Sequence, residues 1–326
     1  MKKVQIFLIM LVFAGQTSLA QNIAVSGVVG NTDGQPLRYA FVLEKQLNNA
    51  TYTDSLGRFS LTVNQQSQLT VTCNGYAGST IAVDGHQNLQ ITLKRDNSAG
   101  AADNSNANVK AVEEAFKPVQ DESGRGGINQ FGSITFTNIK ETRGSQFLFT
   151  QWVHGYLVKV NGDIIQAPTL LLNYDKMTGD LFLTENLSSV MVADKNSIQS
   201  FVLFSPQDRR YTFERMLGIS ADLYAQVLSA GPKYKLYKLI KTKFIPSNYK
   251  TDGITSTGNT YDEYADENSY YVINLTTTFF QPLNLNKKSI RSVFAAEGSK
   301  ADDFLATHKI KEDDAWVTAF GDAMNK

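Results

Sequence analysis

The chain has 326 residues, with 31 basic against 31 acidic side chains, one cysteine and three histidines. A balance this even excludes the clustered basic face that nucleic-acid binding requires. A single cysteine excludes an internal disulfide framework, and histidines scattered at 86, 154 and 308 do not give the spacings of a zinc site.

Lys2 and Lys3 precede an apolar run from Ile6 to Ala14, and Ser18-Leu19-Ala20 places small residues at the positions a signal peptidase reads. The pattern is that of a secretory signal peptide over residues 1–20, cleaved after Ala20. Its apolar core is too short to span a bilayer, so no transmembrane span is expected after cleavage. No cysteine follows the cleavage site to carry a lipid. The mature chain keeps 29 basic and 31 acidic residues and is long enough for two domains. Export without disulfides fits a bacterial envelope, either periplasmic or associated with the outer membrane.

Residues 22–95 read as short strands separated by turn residues. Val25-Ser-Gly-Val-Val29, the turn Thr32-Asp-Gly-Gln-Pro-Leu37 and Ala40-Phe-Val-Leu43 give strand, turn, strand. Further strands are expected around Ala50 to Leu61, Leu69 to Tyr76 and Leu89 to Leu93. Strands this short and this closely spaced predict a small β-sandwich. Asp54 and Gly57 form a turn in which the carboxylate accepts backbone N–H groups, so Asp54 is read as structural. Cys73, in Leu69-Thr-Val-Thr-Cys73, is read as a small buried strand residue.

In order along the chain, Gly27, Asp33, Gly34, Pro36, Leu37, Ala40, Val42, Thr53, Asp54, Gly57, Phe59, Gly75 and Tyr76 resemble the carboxypeptidase regulatory-like domain. The resemblance implies a transthyretin-like, Ig-like sandwich of seven strands, widespread in exported proteins of Bacteroidota-type bacteria. It implies an accessory module, found attached to peptidases and outer-membrane receptors, and no chemistry of its own.

Residues 96–131 read as a flexible linker, beginning with the small, polar run DNSAGAADNSNAN. A short helix is expected over 109–117, ended by Pro118. Gly124-Arg-Gly-Gly127 lacks the strand before and the helix after that a phosphate-cradling loop needs.

Residues 132–326 predict a larger domain, an antiparallel β meander followed by helices. Ser133 to Asn138 is its first expected strand, and Tyr156 to Val160, Asn161-Gly162 and Asp163 to Gln166 read as a hairpin with a type I′ turn. Around Asp175 to Gly179 a longer loop joins two more strands. In Ile198 to Phe204, Phe201 and Leu203 point one way and Val202 and Phe204 the other, so both faces are expected to be covered, by a second sheet or by helices. Lys233, Lys235, Lys238, Lys241 and Lys243 are read as guarding an edge strand. Residues 247–269 form a polar insert in which Asp262, Glu263, Asp266 and Glu267 miss the calcium-loop register. Tyr261 and Tyr264 within it are the candidate partner-contact residues, because tyrosine offers apolar area with a polar tip.

Helices are expected over 286–296, 300–308 and 313–324, covering one sheet face or the end of the meander, which lets strands be apolar on both sides. Phe149, Trp152 and Gly155 ahead of a hairpin, the Leu172-Asn-Tyr174 strand and the helical tail resemble exported proteins of the same bacteria. That likeness implies fold class and compartment alone.

No nucleophile elbow and no His-Glu-x-x-His motif occurs. The expectation is therefore a mainly β, non-catalytic cell-envelope protein without cofactor or metal, whose partner is an envelope protein or a small ligand. Two alternatives stay open: a small-molecule binder with an apolar cavity in the second domain, and a hydrolase whose distant carboxylates converge in the fold.

Overall fold

The computed structural model of the chain describes residues 22–44, 46, 49–96, 116–118, 142–185, 190–216, 218–219, 222–251 and 255–326. The signal peptide expected at 1–20, the turn at 124–127 and the strand expected at 133–138 lie outside the described residues. The chain divides into two compact units, one of Met1–Thr72 with Gly78–Lys94, the other of Cys73–Ala77 with Arg95–Lys326.

Seven strands open the chain: β1 (Asn22–Asn31), β2 (Phe41–Glu44), β3 (Asn49–Tyr52), β4 (Arg58–Asn64), β5 (Gln68–Cys73), β6 (Tyr76–Ala82) and β7 (Asn88–Leu93). They form two sheets, ordered β4-β1-β7 and β3-β2-β5-β6. Strict alternation produces the layers: Phe59, Leu61 and Val63 of β4 and Leu89, Ile91 and Leu93 of β7 are buried, while the residues between them are outward. Gly27 of β1 is required by the Phe59 ring, since a Cβ there would lie 2.6 Å from its Cε1 atom and 2.5 Å from the Leu89 carbonyl oxygen. Asp54 accepts hydrogen bonds from the Leu56 and Arg58 N–H groups at 2.9 and 2.8 Å, closing the turn into β4. Gly57 adopts φ +72° and presses that turn onto β1, where a Cβ would meet the Val29 oxygen at 2.4 Å.

The second unit begins with β8 (Phe116–Pro118). This backbone is extended where the last turn of a helix is expected; the residue before proline is biased away from the helical region, which favours the strand. β9 (Thr142–Arg143), β10 (Val153–Lys159), β11 (Ile164–Ile165), β12 (Leu171–Tyr174), β13 (Leu181–Thr184) and β14 (Met191–Ala193) follow. Then come β15 (Ile198–Phe204), β16 (Arg210–Arg215), β17 (Tyr224–Ala230), β18 (Tyr234–Ile245) and the small β19 (Lys250–Thr251) and β20 (Ser256–Thr257). β21 (Asp262–Asn274) and β22 (Phe279–Pro282) complete the strands.

The main sheet runs β22-β21-β18-β17-β16-β15-β10-β12-β13-β14-β8. It departs from a simple meander where β15 joins β10, where β8 joins β14 and where β9 joins β21 in parallel. β14 leads into β15 along the chain, yet β14 lies between β13 and β8, and β15 between β10 and β16. β10 is thereby the centre, with Val153 and His154 paired to β12 and Gly155 to Lys159 paired to β15. Gly155 permits this double use, because a Cβ would lie 2.4 Å from both the Leu172 side chain and the Val202 oxygen.

The β10–β11 hairpin is present with a different turn. The Gly162 N–H bonds the Lys159 oxygen at 2.9 Å, and Gly162 takes φ +90° while Asn161 stays out of the positive region. This is a type I turn closed by a glycine bulge. The Asn161 side chain supplies the reason: its oxygen accepts the Asp163 N–H at 3.1 Å and its amide donates to Asp163 Oδ2 at 2.7 Å.

Two cores dominate the unit. In the first, the Phe201 and Phe213 rings stack at 4.8 Å, with Tyr174 5.1 Å from Phe213 and Tyr224 5.1 Å from Phe201. Leu157, Leu172, Leu181 and Leu203 enclose them. Three helices build the second: α1 (Lys287–Val293), α2 (Lys300–Thr307) and α3 (Asp314–Asn325). Asp313 caps α3 by accepting the Trp316 N–H at 2.7 Å. Val317, Phe320 and Met324 of α3 join Tyr234, Leu236 and Val272 of the sheet.

The helices therefore cover β17, β18 and β21 and not the Phe201 face of β15. That face packs against β12 and β13 residues of the same sheet. Strands apolar on both faces arise because the sheet folds over itself, a non-local pairing that a single strand's pattern does not encode.

Candidate interaction surface

β18 and β21 pair over twelve consecutive positions, from Tyr234 opposite Asn274 to Ile245 opposite Glu263, with no register shift. At 3.4 Å per residue this ladder is about 40 Å long. β17 accompanies it only as far as Lys238, and β22 only along Tyr271–Asn274. Beyond those limits the two strands run on as an arm, with the β19–β20 hairpin in the loop at its end.

The polar insert expected at 247–269 is thus mostly strand from Asp262 onward. Cross-strand partners stabilise it where burial does not: Tyr264 faces Phe244, and Asp266 faces Thr242. Composition concealed this strand, because its support lies some twenty residues away in the sequence.

A loop and a short strand fix the base of the arm. Asp175 closes the loop after β12, accepting the Met177 and Thr178 N–H groups at 2.7 and 3.2 Å. This presents Lys176, whose side chain is 8% exposed and whose Nζ donates to both Asp266 oxygens at 2.7 and 2.9 Å. The Lys176 carbonyl accepts the Thr242 N–H at 3.2 Å, and the Thr242 hydroxyl donates to Asp266. One lysine residue therefore holds both strands of the arm. On the other side β9 lies parallel to β21 at Asp262 and Glu263. Gly144 follows it so closely that a Cβ would meet the Tyr264 oxygen at 2.3 Å.

Lys235 and Lys238 do not guard an edge, since as far as Lys238 the strand lies between β17 and β21; Lys241 and Lys243 stand beyond the reach of β17. Three of the four lysines of β18 are paired. Lys235 bonds Glu214 at 2.9 Å, Lys238 bonds Asp314 at 2.8 Å, and Lys243 bonds Glu267. Tyr237 also donates to Glu214, at 2.8 Å, and burial followed by that carboxylate's charge pushes its hydroxyl pKa up. Three of the four carboxylates of the insert are likewise committed: Asp262 accepts the Ser247 N–H at 2.6 Å, and Asp266 and Glu267 bind lysines on opposite faces. Among the described residues no group of three metal-ligating side chains forms.

Both tyrosines singled out from the sequence stand at the arm, each half-buried and engaged within the chain. The Arg143 guanidinium lies 3.7 Å over the Tyr261 ring, and the Tyr264 ring packs 5.1 Å from Phe244. The side chains turned to solvent are others: Phe244 at 45%, Ile245 at 44% and Tyr249 at 44% exposure. Sequence reasoning missed these three. Their signal was an apolar pair, Phe244-Ile245, at the end of a lysine-rich strand and just before Pro246.

The remaining candidates stay apart. His86 bonds the Val83 oxygen in a turn of the first unit, His154 is in β10, and His308 stacks at 4.1 Å on Phe304 after α2. Cys73 ends β5 and is half-buried where a buried residue was expected; desolvation raises its thiol pKa. The interior of the first core of the second unit, where an apolar cavity was one expectation, is occupied by the four aromatic rings described above.

Residues 25–105 are similar to the CarboxypepD_reg-like domain, whose family model they match. That domain is a non-catalytic β-sandwich, in agreement with the two sheets and with the structural part played by Asp54. No curated protein matches the chain.

Proposed function

We propose that the protein is an exported cell-envelope protein that works by binding and not by catalysis. The sandwich is its accessory module, and the arm of the second domain engages a partner protein. The observation that carries this reading is the arm itself, where Phe244 and Ile245, on opposite faces of β18, and Tyr249, in the loop that follows, are turned to solvent beside strands held by Lys176 and β9. Apolar side chains exposed on a stiff element lose little conformational freedom on association, which favours contact. The signal-peptide pattern of residues 1–20, and the likeness to exported proteins of Bacteroidota-type bacteria, support the envelope placement.

The test is recovery of tagged mature protein from gently solubilised envelopes, beside a variant carrying Phe244→Ser, Ile245→Ser and Tyr249→Ser. All three positions are solvent-facing, so the variant keeps the wild-type circular dichroism spectrum. A stoichiometric envelope protein is expected with the wild type and reduced at least tenfold with the variant. Recovery of the wild type as a bare monomer would remove this reading.

A further inference from the structure

We propose that residues Thr142–Phe149 form a strap that latches the arm, and that the arm opens as a unit when the exposed end of this strap lets go while the cores stay folded. The strap regulates the arm's binding role and rests on that role for its consequence, though not for its existence. It begins at β9, where Thr142 and Arg143 pair with Asp262 and Glu263. It then crosses the loop that presents Lys176. The Gln146 oxygen accepts the Lys176 N–H at 2.8 Å, and the Gln146 amide nitrogen donates to Asp175 Oδ2 at 3.4 Å. Phe147 bridges to Asp175, and the Leu148 N–H bonds the Tyr174 oxygen at 2.9 Å. The buried Asn173 side chain secures the last residue, accepting the Phe149 N–H at 3.3 Å and donating to the Phe149 oxygen at 2.8 Å.

The two holds on the arm are therefore one device. β9 grips β21 directly, while Lys176 grips Asp266 through its side chain and the Thr242 N–H through its carbonyl. The Lys176 backbone is itself bonded to the strap, so displacing the strap loosens both holds.

The ends of the strap differ in how they are secured. At the core end the Phe147 ring meets Phe182 edge-on at 5.8 Å and the Phe149 ring meets Tyr211 at 5.3 Å, with Leu148 and Phe149 packed against the first core. At the arm end Thr142, Arg143 and Gly144 are exposed, held by a two-residue pairing, by the Arg143 guanidinium over Tyr261 and by the close approach of Gly144 to Tyr264. Segments with little buried apolar contact and exposed backbone hydrogen bonds open at lower free energy than the core they join. The arm end opens first. Once released, β18 beyond Lys238 and the facing part of β21 are a two-stranded ladder, which is marginal in water by itself. Latched, the arm is stiff and presents its apolar side chains at little entropic cost, so partner affinity falls in proportion to the latched fraction. Gly144 is the residue on which the latch turns. It takes φ +72°, and a Cβ there would lie 2.3 Å from the Tyr264 oxygen, a backbone atom that cannot rotate away.

The test is residue-resolved amide exchange on the free mature protein, with Gly144→Ala and with a lockable variant, Arg143→Cys and Glu263→Cys in a Cys73→Ser background. Those two positions are paired, and neighbouring strands lie within the Cα separation that a disulfide spans. Gly144→Ala is expected to speed exchange along Lys241–Ile245 and Ala265–Ser269 at least tenfold and to leave Phe201, Phe213 and Tyr224 of the first core unchanged. The oxidised lock is expected to slow the same arm amides at least tenfold relative to its reduced form, and decides the matter should Gly144→Ala not fold. Adding Lys176→Met to Gly144→Ala is expected to speed them no further than the faster single variant. Unchanged arm exchange in Gly144→Ala, equal exchange in the oxidised and reduced lock, core amides that quicken with the arm, or effects that multiply in the double variant would overturn the latch. In recovery from solubilised envelopes, Gly144→Ala keeps Phe244, Ile245 and Tyr249 and is expected to lose the companion at least threefold; full recovery would overturn the regulation. Absence of any companion from the wild type would overturn the binding role itself, and the latch then stands or falls by exchange alone.

Discussion

Asp54 shows how much a single side chain fixes. Burial by itself would raise its pKa, but the bonds from the Arg58 N–H and guanidinium and the Leu56 N–H outweigh it and hold the carboxyl below the usual aspartate range. A depressed folded-state pKa contributes stability that is present above the unfolded value and is lost as pH falls through the folded one. Asp54→Ala is therefore expected to destabilise the first unit by about 1–3 kcal/mol at neutral pH. The gap between mutant and wild type should narrow below about pH 4, as read by urea denaturation across a pH series. A gap independent of pH would remove the charge from this account. This residue was legible in the sequence, because Asp-x-x-Gly is a local turn whose partners lie within four positions. Tyr261 and Tyr264 were legible only as to place. That Arg143 covers one and Phe244 the other depends on segments distant in the chain.

Among the elements, the arm depends on unlike ion pairs. Lys176 is 8% exposed, and its loss leaves Asp266 with the Thr242 hydroxyl in place of a charged partner. Lys243 and Glu267 are 64% and 55% exposed and are screened by water. Lys176→Met is expected to cost about 1–3 kcal/mol, between the values for exposed and buried pairs, and to speed amide exchange in Lys241–Ile245. Lys243→Met should cost under about 1 kcal/mol and leave that exchange unchanged. Equal effects of the two substitutions, measured by denaturation and hydrogen exchange, would show that the Lys176 loop does not hold the arm. The arm's length was hidden because acidic strands carry no hydrophobic period. The helices were found nearly to the residue, since Trp316, Phe320 and Met324 recur at helical spacing with Asp313 as cap.

Across the whole molecule, the two units carry different pH responses. Tyr234 of the second unit is buried beside Glu297, and burial first, then that carboxylate, pushes its hydroxyl up to about 12. The ordinary tyrosine pKa is about 10. As pH rises between these values the unfolded chain ionises while the folded one does not, so stability present below about pH 10 falls away toward pH 12. Tyr234→Phe should remove one tyrosine's share, about 1.4 kcal/mol per pH unit, from the alkaline slope of the second unit. Calorimetry is expected to show two transitions. Asp54→Ala should move one of them and Tyr234→Phe the other. Movement of both by either substitution would mean that the units unfold as one.

The mainly β class, a small β-sandwich at the start, the turn closed by Asp54, the loop at Asp175 to Gly179 and the helical tail were all legible in the amino-acid order. Each of these is written in contacts within a few residues or in a period that one segment carries alone. The order of the main sheet, the partners of the lysines and the extent of the arm emerge only in the folded chain. Those rest on backbone hydrogen bonds between segments tens of residues apart, and the groups that form them are the same in every residue type except proline.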